Sequence, residues 1–231
     1  MGSVREEVLD ALAAKLTGLS LGRPLRVAVD GRTASGKTTL ADEIAGCIGR
    51  KGRPVIRTSI DGFHRPRAER YARGRYSAEG YYHDARDLPA IDRLLLDPLG
   101  PGGDRRYRTE SLDLESDQPI EQKPQLAPDD AILVVDGTFL QRPELRGSWD
   151  AVIFVAVSAA VSESRGIARD TELFGGEEAA RHLYAQRYGP ACDIYERSCV
   201  PATIADIIWD NSDFERPHLQ IRPGGRLDSA R

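Results

Sequence analysis

The chain is poor in sulfur, in positive charge and in long apolar runs. Of its 231 residues only three are cysteine (Cys47, Cys192 and Cys199) and one is methionine. The cysteines form no CxxC pair and their number is odd, so neither a disulfide framework nor a zinc site is expected. Buried structural thiols in a reducing, cytoplasmic compartment fit them best. The longest apolar run, Ala151 to Val157, is far too short to cross a bilayer, which excludes a spanning helix. Thirty-two basic residues face 36 acidic ones, a net charge of -4. General nucleic-acid binding, which needs a basic face to displace counterions, is therefore not expected. No repeat of solenoid period is present. The N-terminus does not read as a signal peptide. Ser3 and Glu6 have capping-box spacing, and Val4, Val8, Leu12, Leu16 and Leu19 recur at helical intervals, predicting a helix within residues 1–22.

What is present is enough for a core: 40% apolar and 29% charged residues. The length suits one domain over residues 1–231. Strand and helix patterns alternate. Strands are predicted at Leu25–Asp30, Pro54–Ile60, Ala131–Asp136, Ala151–Val157 and Ala205–Trp209. Helices are predicted at Gly36–Arg50, from about Asp87, and at Ala159–Arg169 and Glu177–Tyr188. This order gives an α/β fold with a parallel sheet of about five strands, covered by helices on both faces. Residues 62–128 interrupt the alternation with Arg, Tyr, Gly and Pro, and contain a hairpin candidate at Tyr107–Leu114. Residues 217–231 read as a loose tail.

The strongest chemical signal is Gly31-Arg32-Thr33-Ala34-Ser35-Gly36-Lys37-Thr38, followed by Thr39. Two glycines let backbone amides curl around phosphate oxygens, and the following helix turns its positive end to the same anion. Lys37 has the reach for the β- and γ-phosphates, and the Thr38 hydroxyl suits Mg²⁺. A buried strand before the motif and a helix after it are what this mechanism demands. The motif marks a nucleotide phosphate site with a P-loop NTPase fold and a place for Mg²⁺ beside the phosphates.

Two acids complete it. Asp136 ends the apolar strand Ile132-Leu133-Val134-Val135 and is placed to hold the metal or its waters. Asp61, in Ile60-Asp61-Gly62-Phe63-His64, ends the second strand, and the carboxyl ends of parallel strands face the ligand crevice. It can accept the proton of an attacking hydroxyl, ligate the metal, or do both. A turn-forming Asp-Gly is the plainer explanation.

The P-loop, Asp61-Gly62-Phe63-His64, Asp136-Gly137 and Arg165-Gly166-Ile167-Ala168-Arg169-Asp170 together resemble the uridine kinase family, part of a wider group that includes pantothenate kinase and phosphoribulokinase. The resemblance spans Leu25 to Asn211. It implies transfer of the ATP γ-phosphate to a primary hydroxyl of a small molecule, with uridine or cytidine as first acceptor and Asp61 as base. Pantothenate, a sugar phosphate or another hydroxylated metabolite are the alternatives. It further implies an acceptor-binding insertion over 62–128 and a small lid over 165–188, whose Arg165 and Arg169 act with Lys37 of the P-loop on the moving phosphoryl group. Arg165 and Arg169 are four residues apart and share a helix face; a solvated face with Arg169 paired to a carboxylate is the other explanation.

This sequence departs from the family in several places. Gly166 stands where a second lid arginine is common, and Tyr81 where an aspartate holds the ribose hydroxyls; Asp84 or Asp87 can substitute. Tyr107 matches the base-contacting tyrosine, with Arg108 after it where the family has an acid. His64, beside Asp61, lines the acceptor pocket in this scheme, and Arg187 adds a third lid cation. Arg65, Arg67, Arg70, Arg73 and Arg75 form a run that is either a solvated face or an attractor for an anionic acceptor. A nucleotide switch, motor or non-catalytic ATP-binding regulator is disfavoured: neither Asn-Lys-x-Asp nor Leu-Ser-Gly-Gly-Gln occurs, and Lys37, Thr38, Asp61 and Asp136 occur together. Self-association into a homo-oligomer stays open.

Overall fold

The computed structural model describes residues 2–225 together with 227 and 228. It opens on α1 (Val4–Gly18), whose capping box forms as the spacing requires: the Glu6 amide donates to Ser3 Oγ at 3.2 Å and the Ser3 amide to Glu6 Oε2 at 2.7 Å. Then come β1 (Leu25–Gly31), α2 (Lys37–Arg50) and β2 (Val55–Ser59). Three short helices follow, α3 (Arg67–Arg70), α4 (Ala78–His83) and α5 (Leu88–Ile91), the last continuing as a wider π turn over Asp92–Leu96. Short strands β3 (Arg106–Tyr107), β4 (Leu112–Asp113), β5 (Gln118–Pro119) and β6 (Gln125–Leu126) lead to β7 (Ile132–Asp136) and β8 (Ala151–Ala156). The chain ends with α6 (Ala159–Asp170), α7 (Glu177–Leu183), α8 (Gly189–Cys199), α9 (Pro201–Ile204), β9 (Ile207–Asp210) and β10 (His218–Ile221).

The main sheet has six strands in the order β10-β9-β8-β1-β7-β2. All neighbours are parallel except β10, which pairs antiparallel with β9. The sequence accounts for five of these. The sixth falls in residues 217–231, expected to be loose: His218–Ile221 pairs with Asp210–Ile207, and Leu227 is fully buried in the core. A polar, Gly-containing stretch hides an edge strand because only one of its faces needs apolar residues.

Although β1 and β7 are buried on both faces, their side chains still alternate between two cores. Val27, Val29, Ile132 and Val134 pack with Leu12 and Leu16 of α1 and Leu40 and Ile44 of α2. Ala28, Leu133 and Val135 face the other way, toward Phe63, Ile91, Leu95 and Trp149. The hairpin expected at Tyr107–Leu114 is absent. Instead β3 pairs with β6 and β4 with β5, so the ladder partners lie further along the chain. No helix among the described residues is long and apolar enough to cross a membrane.

Candidate active site

The loop between β1 and α2 is shaped by what its glycines touch. At Gly31, φ is 151° and an added Cβ would lie 2.6 Å from the Val155 carbonyl oxygen. At Gly36, φ is 97° and a Cβ would run into the side-chain amide of Asn211. Ala34 also takes a left-handed φ of 60° at the loop's apex, the sort of local strain that concentrates at ligand sites. Asn211 Nδ2 donates to the Ser35 carbonyl at 2.8 Å, and Ser162 Oγ to the Thr33 carbonyl at 2.6 Å, so β9 and α6 brace the loop from outside. Lys37 is buried and its Nζ donates to the Arg32 carbonyl at 2.6 Å; burial lowers its pKa. Thr39 is exposed on the first turn of α2.

Asp30, which the sequence reading passed over, anchors the loop from below. It is fully buried and accepts hydrogen bonds from the Gly31 amide at 2.8 Å, Gln141 Nε2 at 3.0 Å and the Tyr195 hydroxyl. Burial raises its pKa, partly offset by these donors. Its apolar neighbours made it look like the end of a strand and no more.

Strand register places the acids. Val29 of β1 and Ser59 of β2 both lie opposite Asp136, so the three carboxyl ends meet at one level. Thr38 Oγ1 donates to Asp136 Oδ2 at 2.6 Å, and Arg57 Nη2 lies 2.7 Å from Asp136 Oδ1. Asp61 is not the last residue of β2 but sits just beyond, in a 3₁₀ turn (Ile60–Phe63) capped by Ser59 Oγ. Its side chain is 62% exposed to the cleft, and Arg86 Nη2 pairs with its Oδ1 at 2.6 Å. The Arg86 charge holds the Asp61 carboxyl below the usual carboxylate range.

Arg86 also touches His64 Nε2, and His64 Nδ1 lies 2.7 Å from the Asp61 carbonyl. With Arg86 donating to Nε2, the ring proton is on Nδ1. Burial and the Arg86 charge push His64 down to about 3, so the imidazole is neutral near pH 7. Arg86 escaped notice in the sequence because His83 to Asp87 reads as an ordinary charged turn.

These groups line one cleft of about 740 Å³. It brings together Thr33, Ala34, Lys37, Thr38 and Asp136 on the P-loop side with Asp61, His64, Tyr81, Arg169 and Arg187. Four expectations fail. Arg165 does not reach the cleft; it donates to the carbonyls of Asn211 and Ser212 at 3.0 and 3.2 Å. Asp84 faces away and pairs with Arg73 at 2.8 Å. Asp87 caps α5 through the Ala90 amide. Tyr107 is buried in the second core, its hydroxyl 3.2 Å from Gln125 Oε1. Spacing along the chain does not say which face of an element looks inward, and these four sit on turns, a helix face and a two-residue strand.

Arg169 fits both earlier explanations at once. It lines the cleft, and it is paired in bidentate fashion with Asp170 at 2.7 and 2.9 Å. Asp170 also accepts from the Tyr184 hydroxyl at 2.8 Å. Arg187 lies on a π turn (Tyr184–Tyr188) between α7 and α8, buried, with its Nη1 donating to the Arg75 carbonyl at 2.8 Å.

No family profile matches the chain. Uridine-cytidine kinase B of Dictyostelium discoideum is 30% identical over 173 residues, covering 74% of this chain and 69% of that protein. The chain belongs to the uridine kinase family of P-loop kinases. Two solved structures carry the same fold. A possible uridine kinase from Bacillus stearothermophilus superposes with a TM-score of 0.69 at 23% identity, over 87% of this chain and 97% of that one. A structure titled as a fructose transport system kinase, from Silicibacter sp. TM1040, reaches 0.72 at 24% identity, over 87% and 98%. The family member described here is a P-loop kinase by its relatives and by the P-loop at the carboxyl end of β1.

Proposed function

We propose that this kinase transfers the γ-phosphoryl group of ATP to a primary hydroxyl of a small metabolite, with Asp61 as the general base. The observation that carries this is the position of Asp61: an exposed carboxylate, kept ionised by Arg86, in the same cleft as Lys37 and Thr38. A hydroxyl placed at its free edge gives up its proton as the oxygen attacks. Lys37 supplies positive charge beside the transferring group, and Arg169 adds a second cation from α6. Leu173 and Phe174, between α6 and α7, line the mouth of the cleft and can shield the reaction from water.

The residues suit the ligands implied. The loop leaves no room for a Cβ at Gly31 or Gly36, so backbone can approach phosphate oxygens closely. Mg²⁺ would be held by the Thr38 hydroxyl and the Asp136 carboxylate, which the fold brings together at 2.6 Å. No cluster of three His, Cys, Asp or Glu side chains is set around a metal among the described residues, which agrees with an ion that keeps waters and phosphate oxygens as ligands. When bound, Mg²⁺ neutralises charge on the β- and γ-phosphates.

Uridine or cytidine as acceptor is supported by the likeness to uridine-cytidine kinase B. A charged acceptor is supported by the arginines of the cleft, taken up below. The whole chain, residues 1–231, serves as one catalytic unit in this scheme, with 62–128 shaping the acceptor side and 165–188 the lid. The test is ADP formation by the wild type and by Lys37→Ala. The substitution should lower turnover at least about 10²–10³-fold while the protein stays folded by circular dichroism. Near wild-type turnover in folded Lys37→Ala overturns the proposal.

A further inference from the structure

The half of the cleft away from the P-loop is lined by more cations than its carboxylates can neutralise. Arg86 has Asp61, Arg70 has Asp117 at 3.2 Å, and Arg169 has Asp170. Arg67, Arg75 and Arg187 line the same cleft, and their side chains have no carboxylate partner among the described residues. Arg67 and Arg75 are exposed, and an exposed cation without a partner is ordinary.

Arg187 is not ordinary. It is only 6% exposed, its Nε has no hydrogen-bond partner, and its one bond is from Nη1 to the Arg75 carbonyl. Three rings enclose its guanidinium: Tyr81 at 4.9 Å, Tyr71 at 5.0 Å and Tyr188 at 5.7 Å from the ring centres. Aromatic faces soften the cost of burying a cation, but they do not replace a counter-ion. A buried, partly unpaired guanidinium at the wall of a cleft is what a carboxylate or phosphate of a ligand would complete, since its planar donors match both.

Tyr81 fixes where that anion would sit relative to the chemistry. Its ring contacts two guanidinium groups, Arg187 at 4.9 Å and Arg86 at 6.0 Å. Arg86 is the partner of Asp61. One tyrosine ring therefore contacts both the cation without a counter-ion and the partner of the base that would receive the hydroxyl proton. The carboxylates of the cleft, Asp61, Asp136 and Asp170, are each already engaged by an arginine.

Resting on the kinase proposal above, we infer that the acceptor is itself an anion: a small hydroxylated metabolite bearing a phosphate or carboxylate, bound at Arg187 with Arg67 and Arg75 at the rim. Its hydroxyl then lies beside Asp61. A neutral nucleoside brings no counter-ion to Arg187.

The experiment measures binding of glycerol 3-phosphate, glycerate, ribose and uridine to the full chain, by calorimetry, with the P-loop saturated by Mg²⁺ and a non-hydrolysable ATP analogue. At least one of the two anions should bind at least tenfold more tightly than ribose and uridine, and the two together separate phosphate from carboxylate. Arg187→Gln should weaken that binding at least tenfold and leave affinity for the ATP analogue unchanged. Because Arg187 is buried, the double variant Arg67→Gln, Arg75→Gln is measured beside it; these exposed positions leave packing intact, and the anion's affinity should fall and lose part of its salt dependence. Uridine or ribose binding as tightly as both anions, or anion binding indifferent to all three substitutions, overturns the inference. Neither result touches the kinase proposal, which fails separately if the ATP analogue does not bind or Lys37→Ala keeps its turnover.

Discussion

At the scale of single residues, Arg86 holds together the part of the cleft where the acceptor is proposed to bind. One guanidinium pairs with the Asp61 carboxylate and touches the His64 ring, and its charge lowers the pKa of both. For Asp61 the shift extends the ionised, proton-accepting form to lower pH. For His64, pushed to about 3, it removes any charge change near neutrality. kcat/KM at saturating Mg²⁺ should therefore be flat from about pH 5 to pH 8, with no step at the ordinary imidazole value of 6.5. In Arg86→Gln the Asp61 pKa rises and the acidic limb should move to higher pH. A wild-type inflection near 6.5 would contradict this arrangement. The P-loop, Asp61 and Asp136 were legible in the sequence because spacing and strand ends dictate their place. Arg86 and Asp30 were not, because their importance lies in contacts with Asp61 and Tyr195 that no spacing announces.

At the scale of elements, α6 packs against the π turn that follows α7, and the two form the proposed lid. Gly166 makes this possible: a Cβ there would overlap the Tyr184 ring, whose hydroxyl bonds to Asp170. The glycine that looked like a missing lid arginine is thus a packing position. Gly166→Ala gains about 1 kcal/mol of helix propensity but forces the ring aside at a cost of about 1–3 kcal/mol. A fall in Tm of roughly 2–6 °C is expected in thermal unfolding; an unchanged or higher Tm would show that Tyr184 yields freely. One turn on, Arg169→Ala should lower kcat about 10²-fold while ATP affinity changes little, because the contact to the transferring group develops in the transition state. A change in affinity alone would make Arg169 a ground-state anchor. The helices of the lid were readable from periodicity up to Tyr188. Beyond it, Gly189-Pro190 looks like a break, yet Pro is tolerated in a first helical turn and α8 continues to Cys199. Arg165 and Arg169 share a face, but the helix runs past the cleft, so one meets Asn211 and Ser212 and the other the site.

At the scale of the whole molecule, the sheet order β10-β9-β8-β1-β7-β2 puts β1 at the centre, flanked by β7 and β8. The phosphate loop, Asp136 and the turn bearing Asp61 therefore leave the same edge of the sheet, and in the proposed scheme the long segment between β2 and β7 forms the acceptor wall. The central claim is that this arrangement moves a phosphoryl group onto a hydroxyl held at Asp61. Its most direct measurement is ADP formation from ATP and Mg²⁺ with and without a panel of nucleosides, sugar phosphates and hydroxy acids, for the wild type and Asp61→Asn. The account predicts ADP formation that depends on one acceptor, and its loss in Asp61→Asn with ATP binding retained, since the amide keeps the shape and cannot take the proton. ADP released equally with no acceptor, or full acceptor-dependent turnover in Asp61→Asn, would contradict it.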